Sequence, residues 1–319
     1  MASFFLIILS RMKSRIQLFF TSFIILIVQT NSLFGQVAKG EIIEIKNFQS
    51  KYVDSRTISI WLPEDYDSLK KYPVLYMQDG QMLFDSTITW NKQEWKVDET
   101  ASNLISKNKI KPFIVVGIWN NGNQRRFEYM PQKPFSQLPK ETQISVRKQL
   151  MVTKDIEPLK IKADNYLKFI AKELKPFIDS HFSTFPNQEN TFIGGSSFGG
   201  MISWYALCEY PKIFGGALCI STHWPGMFPG SINPKLPEAF FAYLNKKLPS
   251  PNNHKIYFDY GTETLDAYYE PYQLKVDKIM ERKGYKEGNW MSLKFSGEDH
   301  SEKAWAKRMD YPLQFIFRK

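Results

Sequence analysis

The chain has 319 residues, 43% hydrophobic and 15% aromatic, enough to bury a sizeable core and too apolar for a disordered segment. Its formal charge is +10, yet the basic residues are scattered among acidic ones, as from Lys275 to Lys286. With no arginine-rich helix and no aromatic RNA-binding motif, a nucleic-acid partner is excluded from the expectations.

At the N-terminus, Arg11, Lys13 and Arg15 precede an apolar run from Leu18 to Val28 and a small, polar stretch from Gln29 to Gln36. That is the layout of a secretory signal, expected to span residues 1–35 with cleavage near Gly35. The apolar core is shorter than the roughly 20 residues a spanning helix needs, so no stable membrane span is expected after cleavage. Removing the segment leaves a charge of about +7. The expected location is secreted or periplasmic. Cys208 and Cys219 both sit in apolar surroundings and read as buried thiols, with a disulfide as the alternative in an exported chain.

Two strand-like runs, Glu41 to Lys46 and Arg56 to Leu62, read as an antiparallel edge pair. Tyr72 to Met77 and Pro112 to Ile118 are near-continuous apolar strands of the doubly buried kind, separated by a helix from about Glu94 to Ser106. A long helix follows, from about Ala163 to Ser180. Then come strands at Phe192-Ile193, Gly216 to Ser221, Ile256 to Tyr260 and Met291 to Phe295, with helices between them and a last helix from Ser301. The alternation predicts one α/β domain over 36–319, with a mostly parallel central sheet covered by helices on both faces. Two long connections, Asn120 to Lys162 and His223 to Asn253, follow strands and so overhang the carboxyl edge, where open α/β sheets bind ligands.

Gly195-Ser196-Ser197-Phe198-Gly199 fits the G-x-S-x-G nucleophile elbow, a strand-to-helix turn with the nucleophile at its tip. A phosphate loop is excluded, because no Lys-Ser or Lys-Thr closes the glycine run. Ser197 is the nucleophile candidate, and Ser196 should point away. Of the four histidines, only His300, in Gly297-Glu298-Asp299-His300, satisfies the order serine, acid, histidine. Beyond the strand Ile256 to Tyr260 two acids are available. Asp266 is preferred over Glu263 because a shorter side chain fixes an imidazole more rigidly. Asp259 reads as structural. The oxyanion donors expected are the backbone N–H groups of Phe198 and of Gln81, with Gly80 allowing the turn that aims the latter. No HExxH, CxxC or dinucleotide fingerprint is present, so no metal and no cofactor is expected.

These pieces, with Tyr76 to Asp85 and Arg126 to Pro131, resemble the esterase D-like branch of the α/β-hydrolases over about residues 41–319. That branch includes feruloyl and acetylxylan esterases, enterobactin esterases and mycolyltransferases. The resemblance implies the α/β-hydrolase fold, Ser197 as nucleophile, His300 as base and donors at Gln81 and Phe198. Many members carry an aspartate three residues after the glycine that ends the strand. This chain has Thr264 there.

The expected activity is a serine carboxylester hydrolase working through an acyl-enzyme, on an acyl-decorated glycan or another bulky ester. A siderophore esterase, an acyltransferase to a sugar and a non-catalytic carbohydrate-binding shell are the alternatives. Trp119, Trp224, Tyr268 and Tyr269 supply aromatics for a cleft wall. His223, Trp224 and Arg126 are the substrate-binding candidates, unless Arg126 merely pairs with Glu128.

Overall fold

In the central strands every residue is buried, and alternate side chains enter different cores. Along β3 (Val74–Gln78), Val74 and Tyr76 join one cluster while Leu75 and Met77 join the other. The computed structural model describes residues 39–150, 160–231 and 233–319. All of these lie within one unit, Gln36–Lys319. The expected signal segment and its cleavage point lie outside the described residues.

The sheet has eight strands: β1 (Glu41–Phe48), β2 (Arg56–Leu62), β3, β4 (Ile114–Ile118), β5 (Thr191–Ser196), β6 (Gly216–Ile220), β7 (Lys255–Gly261) and β8 (Trp290–Phe295). Their order is β1-β2-β4-β3-β5-β6-β7-β8. The β1–β2 and β2–β4 pairs are antiparallel and all others parallel, so the expected edge pair and parallel core are both present. The chain leaves β3 for β4 on one side, then returns to place β5 on the other. This is a switch point, and a crevice opens at the carboxyl ends there.

Helices Phe198–Glu209, Lys235–Lys247 and Glu270–Arg282 cover one face. The predicted long helix belongs to the same face but is interrupted. Ala163–Phe169 passes through a π-helical turn, Ile170–Leu174, into Lys175–His181. Val97–Ser106 and Asp310–Phe317 cover the opposite face through Val97, Ala101, Leu104, Leu313 and Ile316. Helix Phe198–Glu209 is buried from Phe198 through Cys208, as a helix wedged between sheet and outer helices must be. Cys208 and Cys219 are free, buried thiols. No helix among the described residues is long and apolar enough to cross a membrane.

The connection after β4 folds into short helices, Arg125–Tyr129, Gln132–Ser136 and Lys140–Leu150. It is pinned to the sheet by a buried pair. Arg56, on β2, donates to both carboxylate oxygens of Glu128 at 2.9 and 2.8 Å. Two charges out of water are tolerated only as a pair, so removing one leaves the other uncompensated. Glu128→Ala is therefore expected to destabilise the fold by about 3–5 kcal/mol, read from denaturant unfolding.

Candidate active site

The strand β5 ends at Ser196, and Ser197 turns the chain into the next helix with φ 57° and ψ −121°. This is a region L-residues rarely occupy, and it persists only where surroundings over-determine it. The Ser197 N–H donates to the Ile220 carbonyl at 3.0 Å, and its own carbonyl accepts from His223 and Met201, both at 3.2 Å. Gly195 is required by proximity: a Cβ there would lie 2.8 Å from Gln78 Cγ and 2.9 Å from the Gly199 backbone. The bend therefore packs directly on the end of β3.

At that strand end Asp79 is left-handed, at φ 58°. Gly80 is needed because a Cβ would sit 2.4 Å from the Gly117 carbonyl carbon on β4. The Asp79 carboxylate is held by Arg125 Nε and Nη2 at 2.6 and 2.7 Å and by Asn120 Nδ2 at 2.8 Å. The turn Gly80–Met82 that carries Gln81 is thus tied to the overhanging loop. Gln81 Oε1 also accepts from the Asn120 N–H at 3.1 Å.

From the carboxyl end of β7, Asp266 meets His300, with Oδ1 and Nδ1 2.5 Å apart. Asp266 Oδ2 accepts from the Ser221 hydroxyl at 2.5 Å and from the Gly261 N–H at 2.7 Å. Burial alone would push this carboxyl up, but His300, Ser221 and Gly261 outweigh it and hold it below its ordinary value. Glu263 is exposed, and its carboxylate accepts from Thr262 Oγ1 at 3.4 Å. Thr264, at the position where the resemblance puts an aspartate, accepts the His300 backbone N–H on its hydroxyl at 3.0 Å.

Ser221 is a hub that sequence reading missed. It donates to Asp266 and accepts from Trp305 Nε1 at 3.0 Å and Arg308 Nη2 at 2.8 Å. One donor and two acceptors exhaust a hydroxyl. Arg308 also pairs with Asp259 at 3.1 Å, so Asp259 is structural, as expected. Trp305 stands edge-on to the His300 ring, with centroids 5.0 Å apart. No local signal marks these partners, because each pairing spans a large sequence separation.

Ser197, Phe198, Gln81, His300, His223 and Arg126 all border one cavity of about 660 Å³. Ser196 borders it too, although it was expected to point away. A larger groove of about 890 Å³, beside helix Val97–Ser106, touches none of these residues. His223 is buried. Its Nδ1 lies 2.7 Å from the Tyr269 hydroxyl.

The substrate wall differs from expectation. Trp224 is fully buried among Trp204, Phe241 and Phe258, with its N–H on Gln273 Oε1 at 2.8 Å. It is a core residue and does not border the cavity, because the chain turns inward immediately after His223. Trp119, Tyr268 and Tyr269 do not line it either. The aromatic surface comes instead from Trp90, Trp95, Phe198, Phe228 and Trp305. Trp90 is 83% exposed and Phe228 39%. Among the described residues no group of His, Cys, Asp or Glu is arranged to hold a metal.

Two outcomes follow from these contacts. Ser221→Ala removes a bond to an ionised carboxylate without touching substrate, so kcat should fall by about tenfold or more with KM little changed. Burial first, then the charges of His300, Arg126 and Arg125, hold His223 down at about 3 from an ordinary 6.5. The unfolded chain therefore takes up a proton near 6.5 that the folded chain refuses. Stability is full above that pH and should decline as pH falls toward about 3; His223→Gln should flatten that decline in unfolding measured across the range.

Residues 50–316 match the family described as "Putative esterase". The chain is 25% identical over 185 residues to the uncharacterized protein YjcH of Bacillus subtilis, covering 58% of this chain and 62% of that protein. It is 28% identical over 199 residues to an endo-1,4-beta-xylanase/feruloyl esterase of Xylanibacter ruminicola, covering 58% of this chain and 22% of that one. It thus spans less than two thirds of either relative. The fold is similar to that of an IroE-like serine hydrolase from Shewanella oneidensis, with TM-score 0.62 and 21% identity over 86% of this chain and 79% of that one. The sheet is that of an α/β-hydrolase, and the chain belongs to the Putative esterase family.

Proposed function

We propose that this chain is an exported serine carboxylester hydrolase that works through an acyl-enzyme on a bulky ester, such as an acyl-decorated glycan. The observation that carries the reading is the convergence of Ser197, His300, Phe198 and Gln81 on one cavity, with Asp266 2.5 Å behind His300. Ser197 Oγ attacks the ester carbonyl while His300 Nε2 takes its proton. Asp266 holds Nδ1–H and stabilises the imidazolium. The N–H groups of Phe198 and Gln81 donate to the oxyanion. His300 then returns the proton to the leaving alkoxide, and water, activated by the same nitrogen, releases the acid.

Export rests on the signal-like pattern of residues 1–35. The glycan-linked substrate class rests on the feruloyl esterase relative and on the exposed Trp90 at the cavity, a face on which sugar or phenolic rings can stack.

Ser197→Ala is expected to lower kcat/KM on p-nitrophenyl acetate by about three or more orders of magnitude and to abolish labelling by a fluorophosphonate. Asp266→Asn should impair turnover far more than Glu263→Gln. Wild-type turnover by Ser197→Ala would refute the nucleophile, and the reverse ranking of the carboxylates would move the acid to Glu263. A panel of methyl ferulate, acetylated xylan and a triscatecholate lactone, compared by kcat/KM, tests the substrate class.

A further inference from the structure

The cavity wall carries two neighbouring arginines in opposite electrostatic situations. Arg125 is neutralised by both oxygens of Asp79, at 2.6 and 2.7 Å, and its guanidinium lies 5.2 Å from the Tyr129 ring centroid. Among the described residues Arg126 has no such partner. Its one side-chain hydrogen bond to them is a long one, 3.4 Å, from Nη1 to the Leu150 carbonyl. Glu128, the carboxylate nearest in sequence, is turned into the core and taken by Arg56 at 2.8 and 2.9 Å. The Arg126 guanidinium instead stands over Phe228, 4.8 Å from its centroid.

A guanidinium offers five N–H donors in a planar fork, so most of the Arg126 fork is unspent. Partial burial and the adjacent Arg125 charge lower its pKa, as expected for a cation without a counter-charge. Across Phe228, the His223 ring lies 5.8 Å away, with Nδ1 committed to Tyr269 and Nε2 buried without a partner among the described residues. The carboxylates that border the cavity are committed elsewhere: Asp79 to Arg125, and Glu302 to Asn91 Nδ2 at 2.8 Å beside His300. In the wall formed by Arg126, Phe228 and neutral His223, Arg126 is therefore a cation with no counter-charge among the described residues.

We infer that Arg126, stacked on Phe228, is an anion subsite of the Ser197 cavity, and that the substrate carries a carboxylate in addition to the ester that is cleaved. This deepens the esterase reading and rests on it. The guanidinium fork matches a carboxylate bidentately, and the phenyl face beneath it fixes its plane and limits competing hydration. Arg126 acts in binding and discrimination and takes no part in the proton transfers at Ser197.

The test uses two ester pairs, each an anion with its methyl-capped neutral partner. In 4-acetoxybenzoate and methyl 4-acetoxybenzoate the charge is on the alcohol side. In mono-4-nitrophenyl adipate and its methyl diester it is on the acyl side. The full chain should prefer the anion of at least one pair by about tenfold or more in kcat/KM, with the preference shrinking as salt is raised. Arg126→Met should collapse that ratio, and Arg126→Lys should retain part of it. Absence of preference in both pairs, or a preference that Arg126→Met leaves intact, overturns the subsite while leaving the esterase standing. No turnover of any of the four esters, together with no fluorophosphonate labelling of Ser197, removes the esterase reading and the subsite with it.

Discussion

Ser197 occupies a backbone conformation that costs about 1–3 kcal/mol, and the site depends on that strain being held in place. The hold comes from tertiary contacts. Its N–H is engaged by Ile220 at the end of β6 and its C=O by His223 just beyond, and Gly195 lets the bend sit against Gln78 at the end of β3. Tyr166 donates to Gln78 Oε1 from the helical layer, so the side chain under the bend is fixed from behind as well. A strained turn locked on three sides presents one side chain outward at a defined place.

Buried charge organises what surrounds that turn. Arg56–Glu128 fixes the overhanging loop to β2, Arg125–Asp79 fixes its start to the β3 turn, and Arg308–Asp259 backs the ends of β6 and β7. Each pair costs desolvation and contributes little net stability; the first two tie the overhanging loop to the sheet, and the third ties a helix to β7. The arrangement has a chemical consequence at Asp266. It is buried, yet stays ionised through Ser221, Gly261 and His300, and an ionised carboxylate is what a histidine base needs behind it. Ser301 adds a local constraint, capping helix Glu302–Arg308 by accepting the Ala304 N–H, which fixes the chain direction just after His300.

The site is asymmetric. The His300 side is built from polar groups that satisfy one another, through Asp266, Ser221, Trp305 and Arg308. Among the described residues, the opposite wall has an unspent guanidinium, an exposed phenyl ring and a buried imidazole nitrogen with no partner. Folding has no use for such groups unless something else meets them, since buried polar atoms are ordinarily paired.

The order of strands and helices was legible along the chain because it is written in local periodicity. The doubly buried runs at Tyr72 to Met77 and Pro112 to Ile118, and the glycine-rich bend around Ser197, each carry their signal within about ten residues. The serine, acid, histidine order singled out His300, and side-chain length favoured Asp266, the residue that lies against it. What the chain could not disclose were pairings across long separations. Nothing near Trp224 says that it turns into the core, nothing near Ser221 says that Arg308 and Trp305 converge on it, and nothing near Arg126 says that Glu128 is already taken by Arg56. The sequence by itself determined the sheet, the elbow and the identities of the chemical groups, because those follow from neighbours. Tertiary structure alone decided which groups are neutralised and which face the cavity, because charge pairing and burial depend on distance in space.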